Sequence, residues 1–223
     1  GGDGVSRGLA TALRLLDRGL VPDGWVRRGI RRLCRERLER AAAGPDVSAF
    51  AAEMREGPVA PVPEKANEQH YELPAEFFQA VLGPRLKYSG CLWEGDTTDL
   101  AGAETAALRV TEERAGIEDG MMVLELGCGW GSLSLHIAER YPGCRITAVS
   151  NSASQRRYVE SRAAAEGLSN LTVLTADMND FRAEGRFDRV VSVEMFEHMR
   201  NWSELLGRIA GWLEPDGRLF LHF

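Results

Sequence analysis

Apolar and polar positions change rhythm along the chain. From about Thr111 onward, short apolar runs alternate with amphipathic stretches. The runs "MVLEL" (Met122–Leu126), "CRITAVS" (Cys144–Ser150), "LTVLTAD" (Leu171–Asp177), "RFDRVVSVE" (Arg186–Glu194) and "GRLFLHF" (Gly217–Phe223) predict five strands. Between them, "GSLSLHIAERY" carries apolar residues at helical spacing through Leu133, Ile137 and Tyr141. "SASQRRYVESRAAAEG", ending on Gly167, and "NWSELLGRIAGWL" predict two more helices. Such alternation implies βαβ units and an α/β fold with a doubly wound, mostly parallel sheet. Right-handed crossovers then place ligands at the carboxyl ends of the strands.

The pattern upstream is different. Residues 6–43 read as helical and polar, with a break at "VPDG" (Val21–Gly24). "WVRRGIRRLCRERLER" (Trp25–Arg40) holds seven arginines and two glutamates, and Val26, Ile30, Leu33, Arg37 and Ala41 form a modest helical stripe. This predicts a packing helix with a solvated arginine face; the alternative is a surface for anionic lipid or an acidic partner. "GPVAPVPEKANEQ" (Gly57–Gln69) predicts a linker, and "PAEFFQAVLG" a short helix from Pro74 to Gly83. The expected organisation is an N-terminal helical segment over 1–57, a linker and closing segment over 58–110, and a ligand-binding α/β domain over 111–223.

Composition narrows the class. The 223 residues suffice for one α/β domain with an accessory segment. A net charge of −6 is no nucleic-acid footprint. No apolar run approaches the roughly 18–20 residues of a membrane span, and "GGDGVSRGLA" lacks a secretory pattern. Cys34, Cys91, Cys128 and Cys144 form no C-x-x-C pair, so neither a metal site nor a disulfide framework is expected, and the expected location is cytoplasmic.

The candidate chemistry sits at strand ends. After the first strand comes "ELGCGWGSL", with Glu125, Gly127, Gly129 and Gly131. A dinucleotide fingerprint would be G-x-G-x-x-G with an acid about 20 residues on. Here the third glycine comes one residue early, and the second strand ends in "AVSNS" without an acid. E-x-G-x-G-x-G between strand and helix resembles motif I of class I S-adenosylmethionine-dependent methyltransferases. "TADMNDF" follows the third strand, where Asp177 can accept a hydrogen bond from an adenine amine and Met178 can pack on the ring. "VSVEMFEHM" (Val191–Met199) ends the fourth strand with Glu194, Glu197 and His198 in an apolar run, costly to bury unless paired or used.

Together with "NEQHYELPAEFFQAVLGPRLKYSGCLW", "AVSNSASQ" and "RFDRVVSVEMFEHMRN", these stretches resemble the cyclopropane-fatty-acyl-phospholipid synthase superfamily, nearest its coclaurine N-methyltransferase-like branch. The resemblance extends to "LVPDGWVRRGIRRL" and covers nearly the whole chain. It implies a Rossmann-like class I methyltransferase fold with strand order 3-2-1-4-5. That fold usually continues into a C-terminal hairpin absent from this chain, so a truncated chain or one completed by a partner is expected. It implies S-adenosyl-L-methionine as cofactor. Tyr88 and Ser89 would contact its methionine part, with Glu125, Gly127 and Gly129 along it. Asn151 and Gln155 would replace the usual ribose acid, and Asp177 and Met178 would hold adenine. Glu194, Glu197 and His198 would face the substrate, with Glu194 on the cofactor side. His70 falls to the closing segment, and Tyr71, Trp93 and Phe196 either wall a cationic pocket or pack in the core.

Two departures separate the branches. Cyclopropane synthases resemble "YSCAYW" and "SAEQ", whose Cys and Glu help hold a proton-removing bicarbonate. Here Gly90 and Ser154 stand at those places, which favours transfer to a small-molecule amine. An alkylammonium, with a pKa near 10.4, is neutral in about one molecule per thousand or fewer at pH 7. It must lose a proton before attacking the methyl group. The expected roles are Glu197 on the ammonium and His198, an imidazole with a reference pKa of ~6.5, as base. The alternatives are a cyclopropane synthase or related lipid methyltransferase, and an inactive cofactor- or partner-binding fragment. A homodimer and a membrane-surface contact stay open as partners, the latter not favoured.

Overall fold

The computed structural model describes residues 7–42, 44, 46–61 and 73–223. His70 and Tyr71 lie outside them. By contact the chain divides into Gly1–Ala51 and Ala52–Phe223.

The first unit holds helices α1 (Arg7–Asp17) and α2 (Asp23–Ala42) and the start of α3 (Val47–Glu56). The expected break at "VPDG" falls where α2 begins. None of the α2 residues is buried; within its stripe Val26 is half-buried, while Ile30 is at 55% and Leu33 at 65% of full exposure. The helix expected over Trp25–Arg40 is present, with its arginine face exposed as expected and its apolar stripe not buried within its own unit.

The second unit is built on five parallel strands: β1 (Met122–Leu126), β2 (Arg145–Ser150), β3 (Leu171–Thr175), β4 (Phe187–Val193) and β5 (Leu213–His222), in the order β3-β2-β1-β4-β5. Helices α4 (Ala75–Val81), α5 (Leu100–Ala115), α6 (Ser132–Arg140), α7 (Ala153–Ala165) and α8 (Trp202–Trp212) accompany the sheet. Local chemistry starts and stops them. Asp99 caps α5 by accepting from the Gly102 amide at 2.8 Å, and Gly116 ends it in the left-handed region at φ +63°. Asn201 caps α8 by accepting from the Glu204 amide at 3.0 Å. β1 and β4 run through the centre, with Val123, Leu124, Leu126, Val190 and Val191 all at 0% exposure. No described helix is long and apolar enough to cross a membrane.

Two expectations change. β5 begins at Leu213 rather than Gly217. Phe187 pairs with Leu213 and Arg189 with Arg218, so the turn residues Glu214–Gly217 bulge out of register instead of preceding the strand. The described start of the expected linker is part of the core. Val59 is 1% exposed among Leu124, Phe196 and Leu205. Its carbonyl accepts from the Arg200 amide at 2.7 Å, and Asn179 bonds both backbone groups of Ala60.

A buried carboxylate sets the segment that reaches the carboxyl edge of the sheet. Glu104 on α5 is fully buried and accepts from the backbone amides of Arg85 at 2.8 Å and Lys87 at 3.0 Å. Between those amides Leu86 has φ +48°, a conformation that costs a branched side chain about 1–3 kcal/mol and persists only where its surroundings impose it. Replacing Glu104 with Ala orphans two amides and leaves a void. We expect a loss of about 3 kcal/mol in urea unfolding at unchanged m-value; a loss below about 1 kcal/mol would show that Glu104 does not hold the segment.

Candidate functional site

The carboxyl ends of β1 and β4 open onto a cavity of about 240 Å³. One wall is the segment Leu86–Ser89, another the glycine turn after β1, and a third the residues after β4, with Leu108 and Thr111 of α5 behind. Of the residues expected at the site, Tyr88, Ser89, Glu125, Gly127, Gly129, Glu194, Glu197 and His198 line this one cavity.

The glycine turn is shaped by tight packing on one side and open space on the other. Gly127 has φ +82°, and a Cβ there would lie 2.8 Å from that of Met195. Gly129 has φ +53°, yet a Cβ on it would meet nothing within 4 Å. The first glycine therefore lets the turn seat on the segment after β4; the second leaves room over the backbone for a ligand. The Gly127 and Cys128 amides both donate to the Val149 carbonyl of β2 at 2.9 Å, so the turn is anchored from behind. Trp130 is 3% exposed, packed on Phe78 at 5.0 Å and edge-on to Tyr158 at 5.3 Å between centroids. Its indole N–H and the Ser132 hydroxyl are buried without a hydrogen-bond partner while lining the cavity. Two orphaned donors beside an open glycine fit a polar ligand seated on the turn, as the expected cofactor would be.

Glu194, Glu197 and His198 reach the cavity without a continuous helical turn, which would have aligned them at i, i+3 and i+4. Instead Glu194 takes left-handed backbone at φ +52°, and a 3₁₀ turn covers only Phe196–His198. The chain reverses at Glu194 because its amide donates to the His222 carbonyl of β5 at 2.7 Å while its carboxylate accepts from the Ser89 hydroxyl. Glu197 and His198 are exposed and Phe196 is buried at 1%, edge-on to Trp202 at 5.4 Å. Phe196 thus belongs to the core, and Trp93, at 57% exposure, is not among the lining residues.

Glu125, one residue before the end of β1, is 3% exposed and accepts from the Ser134 hydroxyl of α6. Burial pushes its carboxyl up to about 7, against the opposing pull of Ser134 and the nearby Lys87 ammonium.

The residues expected at the adenosine end lie further along the same edge and outside this cavity. Asn151 is exposed just after β2. Gln155 is 2% exposed; its carbonyl accepts from Ser150 at 2.6 Å, and its amide nitrogen is buried without a partner. Asp177 follows β3 and accepts from the Asn179 amide at 2.8 Å. Met178 is 7% exposed within the core cluster of Phe181 and Trp212. Ser154 is exposed on α7 and bonded to Ser152 at 2.8 Å, so a carboxylate at that place would face solvent. Gly90, at φ +65°, does lie beside the site: a Cβ there would be 3.7 Å from Glu194 Oε1 and 3.8 Å from Lys87 Nζ. Lys87, Trp130 and Ser132 also line the cavity and were not singled out from the sequence. All three lie inside or beside the motifs.

A family model described as mycolic acid cyclopropane synthetase matches residues 62–223. (S)-Coclaurine N-methyltransferase of Thalictrum flavum subsp. glaucum is 38% identical over 219 residues, covering 96% of this chain and 61% of that protein. The cyclopropane-fatty-acyl-phospholipid synthase of Escherichia coli is 35% identical over 157 residues, covering 70% of this chain and 39% of that protein. A crystal structure of coclaurine N-methyltransferase bound to N-methylheliamine and S-adenosylhomocysteine superimposes with a TM-score of 0.84 at 38% identity, over 96% of this chain and 64% of that one. The chain therefore spans about three fifths of the length of the N-methyltransferase it matches.

The raised carboxyl of Glu125 carries a stability signature. Its folded-state pKa of about 7 lies above the unfolded value near 4.3, so the folded state holds its proton more tightly. Stability is undiminished below about pH 4 and falls as pH rises toward 7, by on the order of 3 kcal/mol from this group. Glu125→Gln should flatten that fall and be more stable relative to wild type at pH 8 than at pH 5. Parallel pH dependences of the two proteins in thermal unfolding would contradict it.

Proposed function

This chain belongs to the mycolic acid cyclopropane synthetase family, and we propose that within it the protein transfers the methyl group of S-adenosyl-L-methionine to the nitrogen of a small-molecule amine. The observation that carries the proposal is the convergence of the glycine turn, the Tyr88–Ser89 segment and Glu194, Glu197 and His198 on one cavity. One relative is named for coclaurine, and the matched coclaurine N-methyltransferase structure holds N-methylheliamine, which makes coclaurine and the unmethylated amine heliamine the first probes.

Tyr88, Ser89, Gly127 and Gly129 would hold the methionine portion, Asn151 and Gln155 the ribose, and Asp177 and Met178 the adenine. Gln155 brings a buried amide nitrogen with no partner in the protein. Met178 would have to act from the edge of the core, since most of its surface is already packed. When bound, the cofactor supplies an electrophilic methyl group on a sulfonium. Glu197 attracts the substrate ammonium and His198 takes its proton, leaving a nitrogen lone pair that forms the N–C bond. The electrons of the S–C bond stay on sulfur. Glu194, fixed by Ser89 and the His222 carbonyl, gives the sulfonium side of the cavity a stationary negative charge.

The lipid reading is weakened at Gly90, where the cysteine of the cyclopropane synthases is replaced beside Glu194. Ser154 no longer bears on it, because that position faces solvent. The four free cysteines suit the reducing, cytoplasmic setting that we propose for this chemistry.

Methyl-labelled cofactor offered with coclaurine, heliamine and, separately, an unsaturated phospholipid should place label in amine. Label in phospholipid, or in neither, would overturn the proposal. His198→Ala should slow labelling of amine at saturating substrate by about 10²-fold, with recovery as pH rises toward the pKa of the amine. An unchanged rate at pH 7 would remove His198 as the base.

A further inference from the structure

The charges lining the cavity are uneven. Glu125, Glu194 and Glu197 face it, and among the described lining residues Lys87 is the one permanent cation. Lys87 is 8% exposed. Its ammonium donates to the Ser89 carbonyl at 2.8 Å, and among the described residues it forms no ion pair. An ammonium has three N–H donors. A cation so deeply buried, with one neutral acceptor, is costly unless something supplies a counter-charge. The carboxylates near it are held by other donors, Glu125 by Ser134 and Glu194 Oε2 by Ser89, and among the described residues none comes within ion-pair distance of the ammonium, so their field offsets its burial without giving it a second bond.

The cofactor proposed above ends in an amino acid with an ammonium, a sulfonium and a carboxylate. Glu194 and Glu197 match its two cations, while Glu125, its carboxyl pushed up to about 7 by burial, is only partly charged near neutrality. The carboxylate needs a donor of opposite charge, and the Ser89 hydroxyl is already spent on Glu194. We propose that the Lys87 ammonium binds the α-carboxylate of S-adenosylmethionine and of its product. This assignment rests on the cofactor reading. Lys87 would then be a binding residue that selects an amino-acid-bearing nucleoside over the same nucleoside without its acid.

Calorimetric titration tests this without turnover. The wild-type chain is titrated with S-adenosylhomocysteine, with its decarboxylated analogue and with 5′-methylthioadenosine. Wild type should prefer S-adenosylhomocysteine over the decarboxylated analogue by about 10–100-fold, the worth of a charge-assisted bond. Lys87→Gln, which keeps an N–H for the Ser89 carbonyl, and Lys87→Met should bring that ratio to within about threefold of unity while binding 5′-methylthioadenosine as wild type does. Lys87→Arg should keep part of the preference. Equal wild-type affinity for the two ligands, or a preference that survives in Lys87→Gln, would overturn the assignment even where Lys87→Met fails to fold. A wild-type chain that binds the adenosyl ligands without discriminating the acid refutes the role of Lys87 alone. One that binds none of the three overturns the cofactor reading as well.

Discussion

The hydrogen bond from the Ser89 hydroxyl to the Glu194 carboxylate joins chain segments separated by 105 positions, and the cavity depends on it. On one side it fixes the reversal after β4, where Glu194 sits in left-handed backbone with its amide bonded to β5. On the other it holds the segment that carries Lys87 and Tyr88, whose backbone hangs from buried Glu104. The tie links the wall that carries Glu194 directly to the wall facing it. Both non-glycine residues with positive φ among those described, Leu86 and Glu194, belong to these two walls. Strain of about 1–3 kcal/mol each is thus concentrated at the site and offset by the parallel sheet beneath it.

That sheet makes the arrangement affordable in physical terms. β1 and β4 are buried on both faces, so Glu125 lies within, and Glu194 directly after, the most deeply packed strands of the sheet. Polar groups that would be destabilising in a core are gathered at its carboxyl edge, where a ligand can meet them. The glycine turn divides its labour: Gly127 allows contact with Met195, and Gly129 leaves the ligand side open.

The sheet was legible because its strands are short apolar runs separated by stretches at helical spacing, whereas the helix Leu100–Ala115 fell largely within the segment expected as linker and closing segment. The gathering of Glu194, Glu197 and His198 was also legible, because all three fall in one short stretch at the end of the fourth strand. A left-handed residue at Glu194 depends on partners at Ser89 and His222, and no local pattern announces partners so distant. Val59 was hidden for a similar reason: prolines around it suggested a linker, whereas its burial comes from Arg200 and Asn179 capturing the neighbouring backbone. Ser154 lies within a motif but not at the site, because its place on the exposed face of α7 is set by the helix and not by the motif. Lys87 carries no local signal, because a single lysine beside a motif differs from a solvent-facing charge only in its burial.

A crystal structure of the chain with S-adenosylhomocysteine bound tests the central claim most directly, namely that one cavity both seats the cofactor and presents its sulfur to the acid–base residues. Density for the homocysteine portion should lie between the Tyr88–Ser89 segment and the glycine turn, with the sulfur on the side of Glu194, Glu197 and His198 and the adenine toward Asp177. A ligand seated elsewhere on the sheet, or one whose sulfur faces away from His198, would contradict it.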